Sequence, residues 1–396
     1  MFFRIVTRGL NPLLVQQNAL QAITVLDACL PRSMYVVEVL TDNAIDVAAY
    51  LQEHFHPADG STAMLETNFS EIVVPSSYQC ESGAKYKARA LHYAIIHGQC
   101  RDQDWIIHLD EETRFTAETA QYCLQHCLRE DRDLKSGKKT HANIGQGVIY
   151  YGCNRTFENY ITTLADSARV ADDYGKFRIQ YETHYPWIGM HGSFVVCTQA
   201  VERMVGFDNG LKGSITEDAY FALVAWAKGV QFSWIDAYMY EQSPFSISDF
   251  IMQRRRWFGG LWLVCREASI PLQYRLTLLL MVITWAGSPI PVIANSLSLL
   301  IKSSTPNSLV VVISFTSAVF CWNYLLGFLK TFDIRDGVIR YFVLMFMQII
   351  LQPVFAVIEL AGVIAAIISP PVKGFHIVKK EGKNVVNGAA ATTAVK

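Results

Sequence analysis

Charged residues are scarce in this sequence. Only 17% of its 396 residues are Asp, Glu, Lys or Arg and 51% are hydrophobic, whereas about 25% charged is usual in soluble domains. This composition excludes a disordered chain, and the mean hydropathy of +0.21 indicates that part of the chain lies in a membrane. The 34 Lys and Arg residues nearly balance the 35 Asp and Glu residues, so we expect no nucleic-acid partner.

Cysteine pairs of the C-x-x-C type are also missing, which removes the usual signature of zinc and redox sites. The nine cysteines are odd in number and scattered, so we expect reduced, mostly buried thiols. The chain does not start with the charged segment and hydrophobic run of a signal sequence, because Met1 leads directly into an apolar, strand-like run.

Three long hydrophobic runs occupy the last third of the chain. Residues 276–301 are uncharged and residues 309–329 are apolar, and each run reaches the ~20 residues that a membrane-spanning helix needs. The third run, from Tyr341 to Pro371, is interrupted by Pro353 and Glu359. It predicts one tilted span, or a bent or partly interfacial segment. Buried core helices are the alternative for all three runs.

Basic residues between the hydrophobic runs predict their orientation. Lys330, Arg335 and Arg340 lie between the second and third runs, and such a loop is expected on the cytosolic face. The residues before the first run are then cytosolic too. A single third span places the basic tail, which begins at Lys373, on the opposite face, against the same rule. The sequence leaves this conflict open.

The first half of the chain alternates between strand-like and helix-like patterns. Short β-rich runs occur at Phe2 to Thr7, Tyr35 to Leu40, Glu71 to Pro75 and Trp105 to Leu109. Helical patterns separate them, as at Leu14 to Ala28 and Lys85 to His97. This order predicts an α/β sandwich with a mostly parallel sheet, in which ligands bind beyond the carboxyl ends of the strands.

Three consecutive acids, Asp110, Glu111 and Glu112, follow the last of these strands. Mg²⁺ or Mn²⁺ would relieve their mutual repulsion and would also bind the phosphates of a nucleoside diphosphate. The alternative is a solvated turn in which Glu111 and Glu112 begin a helix, where negative charge is favoured.

A second acidic motif begins at Ser214. Ser214 and Glu217 have the spacing of a capping box, which would give Glu217 a structural role. Asp218 then lies in the first turn of an apolar helix and is a candidate general base. A second favourable charge at the helix N-terminus is the alternative for Asp218.

A basic motif, Gln253-Arg254-Arg255-Arg256-Trp257, precedes the first hydrophobic run. One interpretation is an interfacial amphipathic helix whose arginines extend toward lipid headgroups. Another is that the Arg256 guanidinium binds a diphosphate leaving group. The two are compatible, because the arginines project in different directions.

In this order the motifs resemble the family 2 glycosyltransferases with a GT-A fold. The detailed likeness is to the egghead-type β-1,4-mannosyltransferases and extends from about Arg4 to Lys380. It includes the segments Arg4 to Gly9, His108 to Thr113, Thr163 to Ser167, Phe207 to Gly210, Met239 to Glu241 and Ser243 to Phe245.

The domain organisation that follows has four parts. A Rossmann-like, nucleotide-sugar-binding GT-A domain is expected at residues 1–245, and an interfacial amphipathic segment at 246–273. About three transmembrane helices, at 276–301, 309–329 and 341–368, are expected within 274–371, and a polar tail at 372–396.

The resemblance implies a donor site. Asp42 would hold the nucleoside, Lys87 would lie by the donor pocket, and Asp110 would contact the nucleotide and the metal ion. Glu112 stands where the family more often has the last aspartate of D-x-D and would ligate Mg²⁺ or Mn²⁺. The small-residue segment near the donor sugar corresponds to His191, Gly192 and Ser193.

The resemblance also implies a catalytic base. Asp218 matches the base of the T-E-D motif, and Glu217 beside it belongs to the substrate-binding set. Gln253, Arg256 and Trp257 match Q-x-x-R-W. Inversion needs one carboxylate to take the acceptor proton while the nucleotide leaves from the opposite face.

The activity implied is transfer of mannose from GDP-mannose to a glycolipid such as glucosylceramide, with a β-1,4 linkage, on the cytosolic face of an ER or Golgi membrane. Egghead-type enzymes usually carry membrane spans ahead of the catalytic domain, whereas here Met1 adjoins the first predicted strand; either the sequence starts at an internal methionine or the protein relies on its later spans. A processive polysaccharide synthase that uses a UDP-sugar is the main alternative. A catalytically inactive membrane scaffold is a third hypothesis.

Overall fold

The computed structural model describes residues 1–56, 67–151, 158–301 and 305–370. Within these ranges one sheet has the strand order β3-β2-β1-β4-β6-β5-β7. Neighbouring strands are parallel except at β6, which runs antiparallel to β4 and β5. The strands are β1 (Phe2–Thr7), β2 (Val36–Thr41), β3 (Phe69–Val73), β4 (Trp105–Asp110), β5 (Ile144–Tyr151), β6 (Val195–Thr198) and β7 (Phe232–Glu241).

Helices cover both faces of this sheet, so the predicted α/β sandwich is confirmed. Helices α1, α2 and α4 pack in a core on one face, and α3, α7 and α9 in a core on the other. The predicted burial of Cys123 and Cys127 is confirmed, since both pack in the first core. The helices of this part are α1 (Pro12–Cys29), α2 (Val47–His54), α3 (Tyr86–His97), α4 (Ala117–Lys135), α5 (Tyr160–Asp172), α6 (Arg178–Glu182), α7 (Gln199–Val205), α8 (Gly210–Gly213) and α9 (Glu217–Ala227).

The rest of the described chain is helical. Two helical stretches are long and apolar enough to cross a membrane. The first is Leu272–Ser298, which consists of two consecutive helices, and the second is the single helix Asn307–Thr331. The third hydrophobic run forms two helices that meet at an angle of 58°, in agreement with the bent alternative. Lys302 and the tail lie outside the described residues. The helices are α10 (Ile247–Cys265), α11 (Leu272–Gly287), α12 (Pro289–Ser298), α13 (Asn307–Thr331), α14 (Val338–Ile350) and α15 (Gln352–Ile368).

The apolar helices pack directly against the α/β part. A Cβ atom built on Gly327 of α13 would lie 1.7 Å from the backbone oxygen of Ser167 in α5, so only glycine permits this approach. From α14, the Gln348 amide donates hydrogen bonds to Ser167 Oγ at 3.0 Å and to the backbone oxygen of Tyr324 at 3.1 Å. The apolar helices and the α/β part therefore share one packed interface.

Candidate active site

A cavity of about 940 Å³ opens at the carboxyl ends of β1, β2 and β4 and continues between the apolar helices. The structure brings every site residue predicted from the sequence to the wall of this cavity. They are Asp42, Lys87, Asp110, Glu112, His191, Gly192, Ser193, Glu217, Asp218, Gln253, Arg256 and Trp257. Their chemical roles stay predictions.

Lys87 is a half-buried cation on this wall. Its ammonium group contacts the Asp110 carboxylate and donates a hydrogen bond to the backbone oxygen of Gly192 at 2.7 Å. Burial alone would lower the pKa of Lys87, but Asp110 and Glu217 raise it above its usual range. Lys87 therefore keeps a positive charge between the strand end and the start of α9.

The three acids after β4 have different environments. Glu111 accepts hydrogen bonds from Thr7 Oγ1 at 2.6 Å and from Asn11 Nδ2 at 2.7 Å, which fixes the turn to β1. Glu112 is buried and lines the cavity with Asp110. The interpretation that these acids begin a helix is wrong, because the next helix starts at Ala117 after the N-cap Thr116.

The capping box predicted at Ser214 is also wrong. Ser214 lies before the helix, where its hydroxyl donates to the backbone oxygen of Gly210 at 2.6 Å and accepts from the backbone N–H of Lys85 at 2.9 Å. Helix α9 begins at Glu217, and its N-cap residue Thr216 makes no side-chain capping bond. Both acids of the motif, Glu217 and Asp218, line the cavity.

Glu217 and Asp218 are neighbouring acids, and the charge of Asp218 acts on Glu217. Burial raises the pKa of Glu217 to about 7, with a further contribution from the charge of Asp218 and opposition from Lys87. Burial also raises the pKa of Asp218, against the backbone N–H of Ala219, Lys87 and Arg256. A Cβ atom on Gly192 would lie 3.2 Å from Asp218 Oδ2, so a glycine there leaves space beside this carboxylate.

Helix α10 gives its arginines separate partners. Arg254 donates to Asp166 at 2.6 Å and to Glu359 at 2.8 Å, and Arg255 donates to the backbone oxygen of Ser369 at 2.7 Å. Both are buried, so the interpretation that they extend toward lipid headgroups is wrong for these two. Arg256 lies on the cavity wall, where its charge acts on Glu217 and Asp218.

Three other predicted residues are held by neighbouring side chains. Asp42 pairs with Arg89 at 2.6 Å, beyond the end of β2. His191 Nε2 lies 2.5 Å from Asp173 Oδ1, and Ser193 Oγ lies 2.9 Å from Thr113 Oγ1. These contacts orient the segment between α6 and β6 toward the cavity.

A group of metal-ligand residue types lies away from the cavity. Ligand atoms of His108, Cys197 and Glu202 lie within 4.8 Å of one another and all three residues are buried. Arg4 Nη1 is 3.2 Å from Glu202, and although burial acts to raise the pKa of Glu202, His108 and Arg4 lower it. The Glu202 charge is thus already balanced, and none of the three residues lines the cavity.

The family of the chain is decided by a comparison of sequences. The sequence model of "Glycosyl transferase family group 2" matches residues 105–356. This chain belongs to that glycosyltransferase family. The match includes Asp110, Asp218 and all of α10, so it covers the acidic pair and the basic motif of the cavity.

Two named relatives of this chain are also glycosyltransferases. The chain is 36% identical over 384 residues to the β-1,4-mannosyltransferase egh of Drosophila melanogaster, and the aligned region covers 96% of this chain and 77% of that protein. It is 34% identical over 390 residues to the β-1,4-mannosyltransferase bre-3 of Caenorhabditis elegans, covering 97% and 79%. Among solved structures, TarS 1-349 of S. aureus shows 11% identity and a TM-score of 0.41 over 92% of this chain and 90% of that one.

The structure adds Arg169 of α5 to the residues around the cavity. Its guanidinium carbon lies 3.8 Å from the ring centroid of Tyr151 and 4.4 Å from that of Trp257. The sequence signal was weak, because Arg169 is a single cation among apolar helix positions. Asp173, which holds His191, was missed for a similar reason: the pairing joins elements that only the fold brings together.

Proposed function

We propose that this glycosyltransferase moves one mannose from GDP-mannose to the sugar of a glycolipid such as glucosylceramide, with inversion and a β-1,4 linkage. One observation carries the proposal. A single cavity holds Lys87 and Asp110, Asp218 and Arg256, and also faces of the apolar helices. The names of the relatives, both β-1,4-mannosyltransferases, favour mannose.

The α/β part is proposed to be a GT-A domain that binds the donor at the carboxyl ends of β1, β2 and β4. Asp42 would hold the nucleoside, and the cationic Lys87 would lie beside the diphosphate. Asp110 and Glu112 fit Mg²⁺ or Mn²⁺, because both carboxylates line the cavity and these ions prefer oxygen ligands. Such an ion would neutralise part of the diphosphate charge.

Asp218 is proposed to be the general base. It accepts the proton of the acceptor hydroxyl while that oxygen forms a bond to the anomeric carbon and the bond from this carbon to the diphosphate oxygen breaks. The electron pair of the broken bond leaves with the nucleotide. Support comes from the position of Asp218 beside Gly192 on the cavity wall and from its raised pKa, which makes the carboxylate a stronger base.

Helix α10 is proposed to bind the leaving group. Arg256 would stabilise the negative charge that develops on the diphosphate, as a guanidinium is well suited to do. Gln253 accepts a hydrogen bond from Arg254 at 3.0 Å, and the Arg254 guanidinium carbon lies 4.6 Å from the Trp257 ring centroid. The buried Arg254 thus contacts both remaining residues of the motif.

The catalytic part is proposed to lie on the cytosolic face of an ER or Golgi membrane, with two crossings rather than three. Lys330 Nζ lies 4.8 Å from the Tyr174 ring centroid, so the basic loop adjoins the α/β part and favours the same face for both. Gln348 of α14 and Glu359 of α15 also bond to α5 and α10. These contacts favour α14 and α15 packing against the α/β part instead of crossing the membrane. In this proposed arrangement the basic tail is on the cytosolic face.

The proposal is tested with detergent-purified protein and a panel of nucleotide sugars, each with Mn²⁺ or Mg²⁺ and with a chelator. We expect metal-dependent use of GDP-mannose and, with glucosylceramide, a product longer by one sugar. Use of a UDP-sugar with a long polymer product would replace this function by a processive synthase. Lack of turnover with every donor would favour the scaffold hypothesis.

A further inference from the structure

The cavity extends well beyond the α/β part, along one face of α11. Cavity-lining residues of this helix recur every three or four positions, at Thr277, Leu280 and Thr284, and the spacing continues at Ser288 just after the helix. At 1.5 Å per residue, this face is about 16 Å long. That is roughly half of the ~30 Å hydrocarbon thickness of a bilayer. A nucleotide sugar bound at the strand ends would not need this extension.

Helix α13 forms the other side of the extension. Its lining residues also recur at helical spacing, at Thr316, Val319 and Asn323. Leu280 of α11 and Val319 of α13 are 63% and 52% exposed although both line the cavity. The cavity therefore opens sideways between these two helices, on a surface that is otherwise apolar.

The side chains along this opening are of two kinds. Leu280 and Val319 offer hydrocarbon at the outer edge, whereas Thr284, Thr316 and Asn323 offer hydroxyl and amide groups. Each of these polar groups has one partner within the protein: Thr284 donates to the backbone oxygen of Met281 at 2.8 Å, Thr316 to that of Val312 at 2.9 Å, and Asn323 to Asp172 Oδ1 at 3.2 Å. The two threonine oxygens can still accept a hydrogen bond from a hydroxyl-rich molecule. A molecule with a hydrocarbon end and an uncharged, hydroxyl-rich end complements both kinds of side chain.

We infer that the acceptor lipid enters sideways from the bilayer between α11 and α13. Its hydrocarbon chains pass between Leu280 and Val319 and remain in the membrane. Its sugar headgroup follows the polar side chains inward until an acceptor hydroxyl reaches Asp218. The inference rests on the proposed function, because it assumes a lipid acceptor, and it adds the route and the residues at its entrance.

Tryptophan at the entrance tests this route. Val319→Trp fills the opening, and Leu280→Trp does so from the facing helix. Val310→Trp is the matched control, because Val310 is an exposed valine of the same helix on the opposite side and does not line the cavity. Three reactions are compared: GDP-mannose hydrolysis without acceptor, transfer to methyl β-glucoside in solution, and transfer to glucosylceramide in phosphatidylcholine vesicles.

We expect both entrance variants to lower transfer to glucosylceramide by about tenfold or more, with the other two reactions close to wild type. The control variant Val310→Trp should carry out all three reactions at rates close to wild type. Transfer to glucosylceramide at the wild-type rate in either entrance variant would overturn the inference. Equal loss of all three reactions in both entrance variants would overturn it as well, since the residues would then be structural.

A second measurement uses the unmodified protein. A glucosylceramide analogue with a photoreactive group in its acyl chain should label α11 and α13 beside the entrance, and labelling confined to other helices would contradict the route. Failure of the proposed function gives a different result, because the wild-type protein would then not transfer mannose to any glycolipid. Wild-type transfer with an unaffected Val319→Trp variant would refute the route alone.

Discussion

Arg254 donates a hydrogen bond from Nε to Oε1 of Glu359 at 2.8 Å, although the two residues are 105 positions apart. The same guanidinium donates to Asp166 of α5 at 2.6 Å. Arg254, Asp166 and Glu359 are all buried, so one cation balances two buried carboxylates. The last apolar helix is thereby joined to the α/β part at the helix that carries Gln253 and Arg256.

Replacement of Arg254 alone should destabilise the protein strongly. Arg254→Met leaves two buried carboxylates without their cation, which typically costs about 3–5 kcal/mol. The triple variant with Asp166→Asn and Glu359→Gln should recover much of this loss. Thermal unfolding in detergent measures both, and Arg203→Met, which removes an exposed ion pair, serves as the control with an expected loss below about 1 kcal/mol. Equal effects of Arg254→Met and Arg203→Met would contradict the prediction.

Asp218→Asn should abolish most transfer without loss of donor binding. An amide of the same shape cannot take the acceptor proton, and loss of a general base typically costs about 100-fold or more in rate. The measurements are kcat for transfer and the Kd of GDP-mannose. Asp236→Asn, an exposed carboxylate outside the cavity, is the control. Retention of transfer by Asp218→Asn would remove Asp218 from the mechanism.

Glu112→Ala should weaken metal and donor binding together, because the proposed ion contacts both the carboxylate and the diphosphate. Losses of about 10- to 100-fold are usual when the surroundings of a bound metal ion are disturbed. Titration calorimetry with Mn²⁺, and then with GDP-mannose in the presence and absence of Mn²⁺, measures the effect. The exposed Glu118 supplies the control Glu118→Ala. Donor binding that does not depend on metal in the wild type would show that Glu112 has another role.

The rate of transfer should fall as the pH falls through the raised pKa of Asp218. Burial raises the pKa of Glu217 to about 7 and also raises that of Asp218. The base is active when ionised, so activity is present above the pKa of Asp218 and is lost as the pH decreases through it. In Asp218→Asn the charge that raises the pKa of Glu217 is gone, so the Glu217 carboxyl should titrate at lower pH than in the wild type. An identical titration of Glu217 in both proteins, followed by its carboxyl infrared band, would show that the two carboxyls do not interact.

The topology can be tested by cysteine labelling in sealed microsomes. We expect a membrane-impermeant maleimide to label Thr393→Cys and Asp236→Cys from outside, because both lie on the cytosolic face in the proposed arrangement. Asn307→Cys, at the start of α13, should react only after detergent is added. Labelling measured in the wild type gives the background from native cysteines. Protection of Thr393→Cys would instead indicate a third crossing.

The α/β order, the hydrophobic runs and part of the cavity wall could be predicted from local sequence patterns. Periodicity alone located the first four strands to within about two residues, because alternation and helical spacing are local properties. The acidic and basic motifs indicated Asp110, Glu112, Asp218 and Arg256, and the family resemblance supplied the other predicted residues of the cavity wall. Local patterns failed at Ser214, where the capping spacing was present but the serine hydroxyl bonds to Gly210 instead.

Which of these residues contact one another depends on how the helices and strands pack. Arg254 and Glu359 meet because α10 and α15 pack together, and a buried charge takes the opposite charge that the fold brings near it. The same holds for His191 with Asp173. The sideways opening between α11 and α13 depends on how two separate helices are placed, and neither helix carries that information in its own sequence.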